Sequence, residues 1–171
     1  MIVLLHGDLL EAKADVLVNP VNTKGVMGKG IARQFKQRFP RMYESYRRAC
    51  LRGEVYIKII NGKLKYKPHV YKQDDFLIIN LPTKTDWRLP SRYEYVVAGL
   101  RWIKVNFDKL SKFLGRPIKT IAMPLLGCGC GGLNKQRVFE IIVKELYNLP
   151  CDIYIYIYSL NKDDLLASKA F

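Results

Sequence analysis

The order of apolar and polar positions along this chain predicts strands and helices in turn. Met1-Ile2-Val3-Leu4-Leu5 opens a strand over residues 1–6, and Asp15-Val16-Leu17-Val18-Asn19 carries a second over 15–19. Helical spacing predicts a helix over about 30–38. Pro40 starts another helical stretch, in which Met42, Tyr43, Tyr46 and Ala49 recur near helical intervals until Gly53. Strand-like runs at 56–60 and 63–66 flank Asn61-Gly62, a strong hairpin signal. Phe76-Leu77-Ile78-Ile79-Asn80-Leu81 reads as a buried strand ending at Pro82-Thr83-Lys84. Ser91 or Arg92 opens a long helix through about Leu114, with Tyr95, Ala98, Leu100, Ile103 and Leu110 as its apolar positions. A strand over 118–124, a helix over 134–147 and a strand over 152–158 follow. In the last, Tyr154, Tyr156 and Tyr158 alternate with Ile153, Ile155 and Ile157, so either both faces are covered or one is a tyrosine-rich surface. This alternation predicts an α/β/α sandwich with ligands at the carboxyl ends of the strands. No repeat, linker or low-complexity segment divides residues 1–171, so one domain is expected.

Composition narrows the class. Hydrophobic residues make up 49% of the chain, as in an ordinary globular protein, and no run of about eighteen uncharged apolar residues suggests a membrane span. The first residues are strand-like and lack a basic region and a cleavage site, which reads as a cytoplasmic protein without a signal peptide. Charge is the stronger clue: 29 Lys and Arg against 15 Asp and Glu give a net +14. A charge of that size concentrates polyanions such as nucleic acid around a small domain, although a lysine-rich solvated surface gives the same count. Arg33, Lys36, Arg38, Arg41, Arg47 and Arg48 make the early helices candidates for phosphate-backbone contacts. Cys50, Cys128, Cys130 and Cys151, with His6 and His69, form no metal-ligand spacing, so reduced thiols and no metal are expected.

Two strand–glycine loop–helix units are the candidate chemistry. The first runs Asn19-Pro20-Val21-Asn22-Thr23-Lys24-Gly25-Val26-Met27-Gly28-Lys29-Gly30-Ile31; its glycines allow close backbone approach to an anion before the helix presents its N-terminal amides. The second follows the 118–124 strand as Leu125-Leu126-Gly127-Cys128-Gly129-Cys130-Gly131-Gly132-Leu133. Two such loops clasping one ligand from opposite sides point to a diphosphate-containing nucleotide.

Four separated segments now resemble a known family. Gly7-Asp8-Leu9-Leu10, the loop from Asn19 to Gly30, Asn80-Leu81-Pro82-Thr83-Lys84, and the stretch from Pro124 to Leu133 together resemble the macrodomains, which bind ADP-ribose. The match is closest to the DarG branch, antitoxins that remove ADP-ribose from DNA. The resemblance implies a three-layer α/β/α fold with a mixed, roughly six-stranded central sheet. It implies that Asp8 accepts from the adenine amino group and that the Leu9 amide donates to the ring; the alternative is that Asp8 only caps a turn. Asn22, Thr23, Gly25, Val26, Met27, Gly28, Lys29, Gly30 and Ile31 are implied to line the distal ribose and diphosphate, with Thr83 beside them. Leu126, Gly127, Cys128, Gly129, Cys130, Gly131, Gly132 and Leu133 are implied to wrap the diphosphate.

The resemblance also places a catalytic lysine at Lys84, with Asn22 as its companion. An ammonium partly withdrawn from water gives up its proton more readily, which turns a lysine into a base or nucleophile. Lys84 is expected either to attack the anomeric carbon, forming a transient imine, or to assist departure of the base through a proton relay. The alternative is a phosphate-binding lysine. Trp87 and Arg88 are candidates for stacking on an exposed base and holding a phosphate, against a reading of Trp87 as a core anchor. Relatives that cleave protein esters tend to carry an aspartate where this chain has Gly131, and the small residue is expected to leave room for a nucleobase. The implied substrate is ADP-ribosylated single-stranded DNA, with ADP-ribose as ligand, no cofactor and a cognate DNA ADP-ribosyltransferase toxin as partner. Since the sequence stops near Phe171, a further toxin-restraining domain is not expected within it. The rival readings are a noncatalytic ADP-ribose reader, an ADP-ribose 1″-phosphate phosphatase and a protein ADP-ribose ester hydrolase.

Overall fold

The computed structural model describes residues 1–157. Six strands form one sheet: β1 (Ile2–His6), β2 (Val16–Val21), β5 (His69–Gln73), β6 (Phe76–Pro82), β7 (Thr120–Pro124) and β8 (Asp152–Ile157), in the order β1-β8-β7-β2-β6-β5. Every neighbouring pair is parallel except β5 with β6, so the sheet is mixed. Strands β3 (Tyr56–Ile60) and β4 (Lys63–Lys67) form a separate antiparallel hairpin turning at Asn61-Gly62.

Side-chain alternation sorts the core into two layers. Val16, Val18, Leu77, Ile79, Ile121, Met123, Ile153 and Ile155 face helices α3 (Tyr93–Val105), α4 (Phe107–Leu114) and α5 (Lys135–Leu146). Leu17, Ile78 and Ala122 face α1 (Gly30–Arg38) and α2 (Pro40–Leu51), which contribute Phe35, Met42 and Tyr46. Strands buried on both faces read as unbroken apolar runs, which is why β2, β6 and β7 are plain in the sequence. Tyr154 and Tyr156 pack half-buried against the second layer, so both faces of β8 are covered; Tyr158 lies outside the described residues.

Three elements differ from expectation. The helix expected through Leu114 breaks at Asn106, whose side-chain Nδ2 and backbone N–H both donate to the Trp102 carbonyl, at 2.9 and 3.0 Å. That local competition for a helical acceptor ends α3, and α4 follows from Phe107 with Leu110 and Leu114 buried. Strand β5 is additional, a short edge strand reversed onto β6. A single 3-10 turn (Leu9–Glu11) follows β1, with Leu9 and Leu10 buried beneath it.

Candidate functional site

The carboxyl ends of β2, β6 and β7 release the three segments singled out in the sequence. In the first loop Asn22 is an organiser. Its Oδ1 accepts from the Lys24 and Val26 amides (2.9 and 3.4 Å), and its Nδ2 donates to the Val26 carbonyl at 2.8 Å. Below it, the buried Tyr46 hydroxyl donates to the Asn22 carbonyl at 2.7 Å; burial pushes that phenol well above its usual range. The Tyr43 hydroxyl donates to the Gly25 carbonyl at 3.2 Å. Gly25 has φ +84°, a conformation that calls for glycine, while a Cβ there would make only ordinary contact with Cys50 Cβ at 3.4 Å.

The first helical bond of α1 runs from the Arg33 amide to the Lys29 carbonyl, which leaves the Gly30, Ile31 and Ala32 N–H groups without a partner among the described residues. In the second loop the amides of Gly129, Cys130 and Gly131 likewise have no partner among the described residues. A Cβ on Gly30 would lie 3.4 Å from Cys130 Sγ, so the two loops meet there. Gly28, Lys29, Gly30, Gly129, Cys130 and Gly132 are exposed along this seam, while Met27, Thr83, Leu126 and Gly131 are buried and shape it from below. Two sets of free N–H groups converging beside Lys29 suit an anion.

Residues 83–91 bridge the loops. Thr23 Oγ1 donates to the Thr85 carbonyl at 2.8 Å, tying the bridge to the first loop. Thr83 Oγ1 lies 2.9 Å from Ser91 Oγ, and the Ser91 amide donates to the Gly131 carbonyl at 3.0 Å, tying it to the second. Lys84 sits on this bridge. Its side chain is half-buried, and its ammonium has no ion-pair or hydrogen-bond partner among the described residues. Trp87 is 51% exposed rather than a core anchor, and the Arg88 guanidinium stacks 5.2 Å from its ring centre. Arg88 is held by Asp86 at 2.8 Å; hydrogen bonds from its guanidinium, and then from its amide, hold the Asp86 carboxyl well below the usual range.

Gly131 has a different reason from the one expected. A Cβ there would fall 2.1 Å from Ser91 Oγ and 2.5 Å from the Gly127 carbonyl. The missing side chain makes room for the bridge, and no free space for a nucleobase exists at that point. Asp8 does cap a turn, accepting from the Leu10 amide at 3.0 Å, which occupies one carboxylate oxygen. Burial pushes the Cys128 thiol up to about 12, so it is no nucleophile. Arg38, Arg47 and Arg48 of the early helices are neutralised by Glu11 and Glu44, and Lys36 lies over the Tyr43 ring; Arg33 and Arg41 carry no ion pair among the described residues. No group of three or more metal-ligating side chains occurs among the described residues, and none of their helices is long and apolar enough to cross a membrane.

Sequence reasoning missed the polar network under the site. Asn19 Nδ2 donates to Asn80 Oδ1 at 2.9 Å, and Asn80 Nδ2 donates to His69 Nδ1 at 3.0 Å. His69 Nε2 then donates to Ser45 Oγ at 2.9 Å. Burial lowers the His69 pKa to about 4, so the ring is neutral at pH 7. The signal was present: Asn80 is the one polar residue inside an otherwise apolar strand.

The Macro domain family model matches residues 18–142. A DNA ADP-ribosyl glycohydrolase of Mycobacterium tuberculosis is 42% identical over 161 residues, a match covering 91% of this chain and 42% of that protein. The macrodomain of Thermus aquaticus DarG superposes with a TM-score of 0.78 at 40% identity, covering 91% of this chain and 97% of that one. Thermosipho africanus DarTG in complex with ADP-ribose gives 0.80 at 32% identity, over 94% of this chain and 42% of that one. The chain spans about two fifths of the length of the curated relatives it matches.

Proposed function

The chain belongs to the Macro domain family, and from that premise we propose that it is an ADP-ribosyl hydrolase that removes mono-ADP-ribose from single-stranded DNA. The observation that carries this reading is Lys84: a half-buried ammonium, unpaired among the described residues, on a bridge bonded to both glycine loops. The unpaired amides of Gly30–Ala32 and Gly129–Gly131 hold the diphosphate, and the 3-10 turn after β1 receives the adenine, with the free Asp8 oxygen as acceptor. Asn22 shapes the wall facing the distal ribose; one of its two amide protons holds Val26, which leaves the other for a ribose hydroxyl.

Lys84 acts at the anomeric carbon of the distal ribose in one of two ways. As a nucleophile its neutral amine forms a C–N bond while the bond to the base breaks; the imine then formed is hydrolysed by water, returning the amine and free ADP-ribose. As an acid–base group it moves a proton towards the departing base while water attacks. In both, positive charge grows on the ribose, and a nearby phosphate stabilises it. The exposed Trp87–Arg88 pair beside Lys84 supplies a stacking platform for a base, which favours a nucleic acid substrate over a protein ester. A cognate DNA ADP-ribosyltransferase is the partner this reading proposes.

The test is release of free ADP-ribose from ADP-ribosylated single-stranded DNA and from a glutamate-ADP-ribosylated protein, with wild type and Lys84→Ala side by side. Release from DNA by wild type alone is expected. Release only from protein makes it an ester hydrolase, and tight ADP-ribose binding without release makes it a reader.

A further inference from the structure

The hairpin β3–β4 has no place in the site so far, and among the described residues its basic side chains lack the acidic partners that Arg38 of α1 and Arg47 of α2 find. Residues 55–68 contain Lys58, Lys63, Lys65 and Lys67 and not one Asp or Glu. In the antiparallel register Tyr56 faces Lys67, Lys58 faces Lys65 and Ile60 faces Lys63, which puts all four lysines on one face with Tyr56. All four are exposed, and none is in an ion pair among the described residues. Lys58 and Lys65 are directly opposite like charges, an arrangement that costs stability in the free protein. Lys58 covers the Tyr56 ring at 4.7 Å. On and just after α2 the balance differs: Arg47 and Arg48 share Glu44 and Arg52 is held by Glu54, which leaves Arg41 as the basic residue there without an ion pair among the described residues.

Position adds the second argument. The other face of the hairpin is anchored where β6 delivers Lys84. Tyr66 packs against the main core, and its hydroxyl donates to the Pro82 carbonyl at 2.6 Å. Strand β4 then leads through Pro68 into His69, which pairs with Asn80 near the carboxyl end of β6. The lysine ladder therefore stands at the ligand edge of the sheet, two residues from Lys84 through Pro82.

We propose that the outer face of the β3–β4 hairpin grips the phosphodiester backbone of single-stranded DNA beside the modified nucleotide. This rests on the DNA reading of the site. Lys63, Lys65 and Lys67 recur every second residue, about 6.8 Å apart along the strand, a step an extended phosphodiester chain can follow. The ladder and its one aromatic form the kind of basic, sequence-tolerant surface that tracks a single strand. A polyanion also relieves the Lys58–Lys65 repulsion. Lysines on exposed strands guard against edge-to-edge pairing as well; a guard role alone predicts aggregation on their removal and no change in DNA affinity.

The deciding experiment uses Lys63→Gln/Lys65→Gln in the full chain, both positions being exposed. Binding of a labelled, unmodified single-stranded 20-mer is followed by anisotropy across a salt series, ADP-ribose binding by calorimetry, and ADP-ribose release from a long and from a trinucleotide ADP-ribosylated substrate. The salt slope is expected to fall by about 0.7 for each phosphate that the variant no longer neutralises, with affinity for the 20-mer down roughly tenfold. Release from the long substrate at low concentration falls in step, while ADP-ribose affinity and trinucleotide turnover hold. Unchanged 20-mer affinity and slope overturn the proposal, as does an acidic peptide that binds the wild-type hairpin better than the 20-mer does. If wild type releases nothing from any DNA, the hydrolase reading fails by itself, and the 20-mer binding still decides the hairpin.

Discussion

The two ends of the central strands are built on opposite terms. At the amino end, Asp15 precedes β2 and leaves nothing open. Its carboxylate accepts from the Lys119 and Thr120 amides at 2.7 and 3.1 Å and from Arg116 Nη2 at 2.8 Å. Its own amide donates to Thr120 Oγ1, and its carbonyl accepts from the Leu77 amide, so one residue ties β2, β6 and β7 together. At the carboxyl end the same three strands lead to the Gly30–Ala32 and Gly129–Gly131 amides, which have no partner among the described residues, and to a lysine without a counter-ion among them. Satisfied polar groups hold the sheet; unsatisfied ones are what a ligand can complete.

That contrast breaks most visibly at Lys84. Lys84→Ala is expected to lower release of ADP-ribose from DNA by at least about a hundredfold, with calorimetric ADP-ribose affinity and melting temperature nearly unmoved. A large loss of affinity would make Lys84 a binding group instead. His69 tests whether the network under the site carries stability. Its folded pKa is about 4 against 6.5 for the ordinary group, so on acidification the unfolded chain takes up a proton first. Its contribution is full above pH 6.5 and is lost as pH falls towards 4, about 3 kcal/mol in all. Urea melts of wild type and His69→Gln over that window should show the acid loss shrinking in the variant.

The next pair sets the two ends against each other. Gly131→Ala drives a methyl into Ser91 and the Gly127 carbonyl, and should cost about 2 kcal/mol along with ADP-ribose affinity, since the loop must shift. Asp15→Ala should cost a similar amount, about 2 kcal/mol, and leave ADP-ribose affinity alone. Equal losses of affinity in both would dissolve the distinction between the ends. The smallest effect is expected at Trp87→Ala: roughly tenfold weaker binding of single-stranded DNA, with no change in melting temperature because the ring is exposed.

What could be read in the sequence follows the range of the forces involved. Strands β2, β6 and β7 declare themselves because burial on both faces demands continuous apolar residues, and the glycine loops because conformation and close approach exclude side chains. Strand β5 is hidden: an edge strand with Lys72 and Gln73 in it needs only one neighbour and one covered face. Asn106 reads as an ordinary helical residue until its side chain claims the Trp102 carbonyl. The roles of Ser91 and Tyr46 depend on partners such as Gly131 and Asn22, far away along the chain, and no local pattern announces them. For the same reason Gly131 was legible as special while its purpose was not.

The seam between Gly30 and Cys130 also fixes when the protein can work. One side of the ligand cradle is made from the first thirty or so residues and the other from a loop about a hundred residues later, joined by a bridge anchored at Ser91. During synthesis the early half emerges with nothing to clasp against, and long-range pairing of this kind forms late. On the proposed reading, a growing chain is expected to hold no partial activity, since the two loops meet only after the second has left the ribosome and docked.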